Sequence, residues 1–138
     1  IVLSMGSLFT SIIPNLLCKE VIEEIDKSKA KLVYVSNMMT QPGETDEFNV
    51  SDHIKVLNKY LGKRKIDIVI ANDGVINKKF IDKYATLEQK DPVFCDTEEL
   101  ESLGIRVISD DFVSIEQEMI RHDTLKLAFH IFSLLIRG

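Results

Sequence analysis

A chain of 138 residues, 45% hydrophobic and 28% charged, has the composition of one ordinary folded domain rather than a disordered segment. A net charge of −5 and a pI near 5.2 leave no basic stripe for sequence-independent nucleic-acid binding. The one dense basic cluster, Lys63-Arg64-Lys65, falls between a helix and a strand and reads as a solvated turn.

In chain order, Ile1–Leu3 reads as the end of a strand and Ser4-Met5-Gly6-Ser7 as a small-residue turn. Leu8 to about Lys29 reads as helix, because Ile12, Ile13, Leu16, Leu17, Val21, Ile22 and Ile25 recur at three- and four-residue spacing. Pro14 must kink that helix or begin a second one after a short first turn. Leu32–Val35 is a continuous apolar strand of the kind buried on both faces of a parallel sheet. The polar loop 36–49 follows. Ser51 or Asp52 is the expected cap of a helix with Ile54, Val56, Leu57 and Leu61 inward, ended by Gly62. Ile66–Ala71 is another strand, and Asn72-Asp73-Gly74 a tight turn. Asn77 opens a short helix carrying Phe80, Ile81 and Tyr84. Pro92-Val93-Phe94 is a candidate short strand, Glu98–Leu103 a single helical turn ended by Gly104, and Ile105–Ile108 a further strand. Asp123 caps a final helix, 124–136, that is apolar nearly all round. Such a helix is buried on several sides or lies at a subunit interface, a route to homo-oligomers. Lys126, His130 and Ser133 interrupt its apolar run, which is too short to span a bilayer.

Strands alternating with helices predict an α/β domain with a mainly parallel sheet flanked by helices. Ligands of such sheets bind outside the carboxyl ends of the strands. Loops 4–7, 36–49 and 72–77 fall there, all rich in Gly, Ser, Thr or Asn. Cys18 and Cys95 are far apart and belong to no CxxC or zinc pattern; buried reduced thiols are expected, as in a cytoplasmic protein. The start at Ile1, inside an apparent strand, reads as a fragment of a longer chain.

Several stretches could carry chemistry. Ser4–Thr10 places small residues, hydroxyls and backbone N–H groups between a strand and a helix. That suits an anion, and an ordinary strand–helix turn is the alternative. The amides and hydroxyls of Asn37, Thr40 and Gln41 suit hydrogen bonding to a sugar or base, in a loop long enough to be functional. Asn72 is the first residue beyond its strand. Arg121 precedes a helix start, where a phosphate would meet both a fork of donors and the helix dipole. His122 reads as a hydrogen-bonded structural histidine; His53 and His130 are weaker candidates. Asp110-Asp111 could hold Mg²⁺ with a phosphate substrate, or form a plain turn. No Ser-His-Asp set can be assembled, and neither cysteine has an activating partner.

The stretches "GSLFTSIIPNLL" (6–17), "NMMTQPGETDEFNVSDHI" (37–54), "NDG" (72–74) and "RHDTLKLA" (121–128) occur in this order. Together they resemble the bacterial gluconeogenesis factors, the YvcK-like branch of the 2-phospho-L-lactate transferase (CofD, UPF0052-type) family. The resemblance spans essentially the whole chain, as the C-terminal half of a longer domain whose Gly-rich first half is absent. It implies a Rossmann-like fold and a nucleotide ligand. For the YvcK-like branch that ligand is a UDP-sugar, with roles in carbon metabolism, cell-wall synthesis and cell shape. For the transferase branch it is a guanosine diphosphate donor handled with Mg²⁺, and NAD is a further nucleotide to consider. Carried onto this chain, Gly6, Ser7 and Thr10 would cradle phosphate, and Asn37, Thr40 and Gln41 would line the pocket. Tyr84 and Arg121 would contact the nucleotide-sugar, with Thr124 beside them as a candidate phosphorylation target. The family reads Gly-Pro-Gly-Ser where this chain has Ser4-Met5-Gly6-Ser7, so the cradle is bulkier and less pre-set. A non-catalytic regulator is the leading expectation, a phospholactate-type transferase the second, and a structural protein assembled through its last helix the third.

Overall fold

Four short apolar runs form one parallel sheet in a computed structural model that describes residues 1–137. The strands are β1 (Val2–Leu3), β2 (Val33–Val35), β3 (Ile68–Asn72) and β4 (Arg106–Asp110), side by side in that order. Tyr34 lies opposite Val69, and Val69 opposite Val107. Strands added always in one direction, with right-handed crossovers, must place every crossover on the same face. Four of the crossover helices are seen to obey this. α1 (Ile13–Leu16), α2 (Lys19–Lys27), α3 (Val50–Tyr60) and α5 (Thr97–Ser102) contribute Leu16, Ile25, Ile54, Leu57 and Leu100 to one core. Alternate strand residues, Tyr34, Val69 and Ala71, meet them. The other strand residues, Val33, Val35, Ile68 and Ile70, face a smaller core with Phe112 and Leu127. Among the described residues, α6 (Thr124–Arg137) is the helix that packs on that second face. The α/β, mainly parallel architecture expected from the sequence is the one found.

The expected single helix 8–29 is three pieces. A π-helical turn at Leu8–Ile12 runs into α1, whose first turn holds Pro14, so the proline starts a helix as one of the two readings required. A second break falls at Cys18, extended at φ −76° and ψ 117°. That break re-aims α2 so that both Leu16 and Ile25 reach the core. It also leaves Cys18 exposed; Cys95, elsewhere in the chain, is only half-buried, so the expectation of two buried thiols fails.

The cap of α3 is Asn49, not Ser51 or Asp52. Asn49 accepts from the Asp52 backbone N–H while the Asp52 carboxylate accepts from the Asn49 N–H at 2.9 Å, a reciprocal capping box. Gly62 does not end the helix through a left-handed turn; Leu61 is the C-cap and is extended. Glycine is required there by proximity, because a Cβ would lie 2.5 Å from Asp26 Oδ2 and 2.8 Å from Ile22 Cγ2. Asp26 cannot swing away, since it accepts from Lys63 N and Arg64 N.

The basic cluster is more than a solvated turn. Arg64 donates to the Ser28 and Ala30 carbonyls and to Asp67, and Lys65 donates to the Asn58 carbonyl. Those carbonyls lie at or just beyond the C-terminal ends of α2 and α3, where cations complement both the orphan acceptors and the helix dipole.

Pro92–Phe94 forms no strand, only an isolated antiparallel bridge between Met39 and Pro92; proline has no N–H to extend the ladder. α4 (Lys78–Glu88) is capped by Asn77, and Gly104 ends α5 at φ +75°, both as expected. Asp123 caps α6 through Lys126 N at 3.0 Å. The hairpin β5 (Val113–Glu116) and β6 (Met119–His122) was not anticipated. Its two-residue turn, Gln117-Glu118, takes positive φ at both positions without a glycine or asparagine to announce it. α6 is not buried on several sides: Leu125, Phe129, Phe132, Leu135 and Ile136 point away from the sheet and are exposed.

Candidate functional site

The loops leaving β1 and β2 meet the C-terminal end of α4 and strand β6 around a cleft of about 380 Å³. The first loop contributes Met5, Gly6 and Ser7, and the second Asn37–Gln41. Tyr84, Glu88 and Lys90 come from α4 and its end, and Met119–His122 from the hairpin. The cleft therefore lies at the carboxyl ends of parallel strands, where the topology leaves room between loops. Of the expected site residues, Gly6, Ser7, Asn37, Thr40, Gln41, Tyr84 and Arg121 converge on it.

Three others do not line it. Thr10 stands behind Ser7, its Oγ1 donating to Ser7 Oγ at 2.5 Å. Thr124 is exposed at the start of α6. Asn72 borders a separate hollow, and its amide is spent on the fold. Its Oδ1 accepts from Phe112 N at 2.8 Å and its Nδ2 donates to Gly74 O at 3.0 Å.

Most of the convergent polar groups hold the walls together. Gly6 N donates to Asn37 Oδ1 at 3.1 Å, and Asn37 Nδ2 donates back to Gly6 O at 2.8 Å, so one amide clasps the two loops. Thr40 Oγ1 accepts from Asp91 N at 2.9 Å, and Tyr84 Oη accepts from Ile120 N at 3.0 Å. Ser7 caps the π-helical turn and donates to Glu44 Oε2 at 2.7 Å. The small-residue turn thus already faces one carboxylate, which an incoming anion would have to displace. Lys90 is paired with Glu88 at 2.6 Å.

Two polar groups are left uncommitted. Arg121 is exposed, and among the described residues its guanidinium makes one weak hydrogen bond, to Met119 Sδ at 3.8 Å, and no ion pair. Gln41 Oε1 is buried without a hydrogen-bond partner among the described residues, a state that a ligand N–H or O–H would relieve.

The apolar part of the lining has one dominant residue type. All four methionines of the chain, Met5, Met38, Met39 and Met119, border the cleft. Thioethers are polarizable and adapt their shape, and they make favourable contacts with the edges and faces of aromatic rings. The sequence reading overlooked this wall. Met38 and Met39 stood inside the quoted loop, but Met119 could not be placed without the unrecognised hairpin.

His122 lines the cleft with Nε2 3.2 Å from Ser36 O, the structural histidine expected. His53 is fully buried and bonds Asn49 O through Nδ1. Burial pushes both rings below the ordinary 6.5; for His53 it outweighs the Asn49 carbonyl, Asp52 and Asp96, and for His122 the Ser36 carbonyl. The fold therefore favours the neutral form of both rings. An unfolded chain takes up these protons near 6.5 and the folded chain resists them. Stability is therefore present above that pH and declines below it. The melting temperature is expected to fall as buffer is acidified through this range, and His53→Phe to flatten the fall; a level wild-type profile would contradict the assignment.

The carboxylates offered for Mg²⁺ do not fit it. Asp110 is bound by His130 Nε2 at 2.8 Å, the contact that chiefly holds its carboxyl below the ordinary 3.8, and by Lys126 at 3.5 Å. Asp111 Oδ1 accepts from Val113 N. Among the described residues no three His, Cys, Asp or Glu side chains gather as a metal site. No helix among them is long and apolar enough to cross a membrane.

Comparison with known proteins places the fold in a lineage. Residues 1–113 match the family model described as 2-phospho-L-lactate transferase CofD. The chain belongs to the CofD family. The gluconeogenesis factor of Bacillus subtilis is 44% identical to this CofD-family chain over 135 residues, which are 98% of the chain and 42% of that protein. A putative gluconeogenesis factor of Aquifex aeolicus is 38% identical over 136 residues, 98% of the chain and 41% of the relative. The crystal structure of a UPF0052-family protein from Bacillus halodurans superposes with a TM-score of 0.87 at 37% identity, covering 94% of the chain and 42% of that structure. The chain thus spans about two-fifths of the length of these relatives.

Proposed function

We propose that the cleft binds a nucleotide-linked sugar, a UDP-sugar, and that the protein acts as a non-catalytic regulator of gluconeogenic carbon metabolism. Effects on cell-wall synthesis and cell shape, in the cytoplasm, would follow from that role. The observation that carries the reading is the convergence of seven expected site residues on one cleft at the strand ends. The cleft suits the two halves of such a ligand. Its methionine wall accepts the flat face of a base, and Arg121 offers an unengaged guanidinium to a diphosphate. Gln41 Oε1 offers an acceptor to a sugar hydroxyl or a base N–H. The name gluconeogenesis factor, borne by relatives about 40% identical, supports the metabolic setting. Phosphorylation of the exposed Thr124, three residues from Arg121, would add a dianion able to compete for the guanidinium.

The family description favours one second reading, a transferase that moves a phosphoester from a nucleotide diphosphate donor. Isothermal titration of the full-length protein with UDP-N-acetylglucosamine, GDP and NAD separates the two. UDP-sugar binding is expected to be selective and to weaken about thirtyfold in Arg121→Ala, or roughly 2 kcal/mol for a lost charged hydrogen bond. Selective GDP binding that tightens with Mg²⁺ would shift the assignment to the transferase. Binding of none of the three would leave the cleft without a nucleotide role.

A further inference from the structure

A thioether and an unpaired cation meet at one edge of the cleft. Met119 and Arg121 lie two residues apart on β6, so their side chains leave the strand on the same face. Arg121 Nη2 donates to Met119 Sδ across 3.8 Å. A thioether is a poor acceptor, so the guanidinium is held loosely. The other three methionines of the wall are placed differently. Met38 is buried, Met5 and Met39 are half-buried, and Met119 is 38% exposed. Met5 Sδ already accepts from Ser4 Oγ at 3.0 Å, which draws on one of its lone pairs. Met119 is thus the most accessible sulfur of the four and, among the described residues, the one whose sulfur faces a cation.

We infer that Met119 is a modification site, oxidised by a peroxide to its sulfoxide, and that the sulfoxide captures Arg121 and weakens the cleft's hold on an anionic ligand. The effect on the ligand rests on the nucleotide reading above. The chemistry balances without a cofactor. A sulfur lone pair attacks one oxygen of hydrogen peroxide, and the S–O bond forms as the O–O bond breaks. The second oxygen leaves as water, taking the first one's proton. Sulfur is oxidised, the peroxide is reduced, and the side chain gains one oxygen and no net charge. Access follows from the cleft's own role. Hydrogen peroxide is uncharged and far smaller than a nucleotide, so an opening that admits the ligand admits the oxidant. The product differs from the thioether in the property that matters. Its oxygen is the negative end of a strong dipole, on a side chain that is now polar. Added on the lone pair facing Nη2, that oxygen shortens the 3.8 Å gap by one S–O bond and comes within ordinary hydrogen-bond reach. The new bond is charge-assisted and lies within one strand, so a phosphate must displace it to engage the guanidinium. Reductases that return each sulfoxide epimer to the thioether make the change reversible.

The test exposes the full-length protein briefly to dilute hydrogen peroxide, maps the oxidised peptides by mass and titrates with UDP-N-acetylglucosamine. Dithiothreitol added afterwards returns disulfides and sulfenic acids to thiols and leaves sulfoxides in place. Met119 is expected to gain oxygen first of the four and Met38 last. Affinity is expected to fall about tenfold in step with Met119 oxidation, and to return on treatment with methionine sulfoxide reductases. Met119→Leu is expected to keep its own affinity, whatever its value, through the same exposure. In Arg121→Ala, titrated to higher ligand concentration, peroxide is expected to change affinity by less than about twofold, because the captured group is gone. A Met119 that resists while the buried Met38 reacts overturns the proposal, as does a Met119 sulfoxide with unchanged affinity. An equal fall in Arg121→Ala overturns the capture, since loss of the apolar wall then accounts for the effect. Failure of the nucleotide reading is seen earlier, as untreated protein that does not bind the UDP-sugar, and overturns this proposal with it. Failure of this proposal alone is seen in protein that binds before peroxide and binds as well after it.

Discussion

Phe112→Ala is expected to destabilise the protein by about 4 kcal/mol, within the range for deleting a buried phenyl ring and leaving a cavity. Phe112 is 1% exposed, and it ties three elements together. Its N–H donates to Asn72 Oδ1 at the end of β3, and its carbonyl accepts from Asp123 N at 2.7 Å just before α6. Its ring packs with Val33, Val35, Ile68, Ile70 and Leu127 and lies edge-on to His130, with centroids 5.3 Å apart. That core is the smaller of the two and has a single covering helix, so few neighbours can close the void. The loss is a large fraction of the 5–15 kcal/mol that holds a typical domain together. Urea unfolding of the variant beside Val75→Ala, at a position 92% exposed, is the measurement. The control is expected within about 0.5 kcal/mol of wild type. A Phe112 variant equally unaffected would mean that α6 does not depend on this core.

What could be read from the sequence follows from how local each signal is. The buried strands Leu32–Val35 and Ile66–Ala71 announce themselves as apolar runs, and their alternation with helices is enough for a parallel sheet. Asn77, Asp123 and Gly104 are caps whose chemistry acts within a few residues, so they too were legible. The hairpin was not, because Gln117-Glu118 adopts positive φ only under tertiary constraint and carries none of the usual turn residues. The exposure of α6 was not legible either. Periodicity shows that a helix is apolar on many sides; the topology decides which side meets the sheet. Within the site, the two loops and seven lining residues could be named in advance, but not their tasks. Asn37, Thr40 and Tyr84 looked like ligand contacts because their polar groups suit one. Each polar group is instead engaged by a backbone partner distant in sequence, Gly6, Asp91 and Ile120. The methionine wall stayed hidden for a related reason: Met5 and Met119 are 114 positions apart in sequence and meet only once the hairpin folds over the strand ends.

Asn37 gives the sharpest separation between a contact residue and a positioning residue. If its amide touched only the ligand, Asn37→Ala would abolish binding and leave stability unchanged. The structure gives it both hydrogen bonds to Gly6, a donor and an acceptor 31 residues away. Asn37→Ala is therefore expected to cost about 2–3 kcal/mol of stability, since two bonds go and two half-buried backbone groups lose their partner. Ligand affinity is expected to fall with it, at least tenfold, because Met5 and Gly6 lose the amide clasp to the second loop, leaving Ser7–Glu44 as the remaining side-chain tie between the loops among the described residues. Asn37→Asp sharpens the test. It keeps an acceptor for Gly6 N but sets a carboxylate oxygen against Gly6 O, so it is expected to be no better than alanine, although it is nearly isosteric and polar. A simple polar lining residue would tolerate that change. Thermal unfolding and titration calorimetry on the same three proteins read both quantities. Binding lost at full stability in Asn37→Ala would return Asn37 to the ligand, and unchanged binding with lowered stability would show that the cleft does not need the clasp. Joint loss in both variants would mean that the "NMMTQ" loop recognises its ligand largely by holding the β1 loop in place.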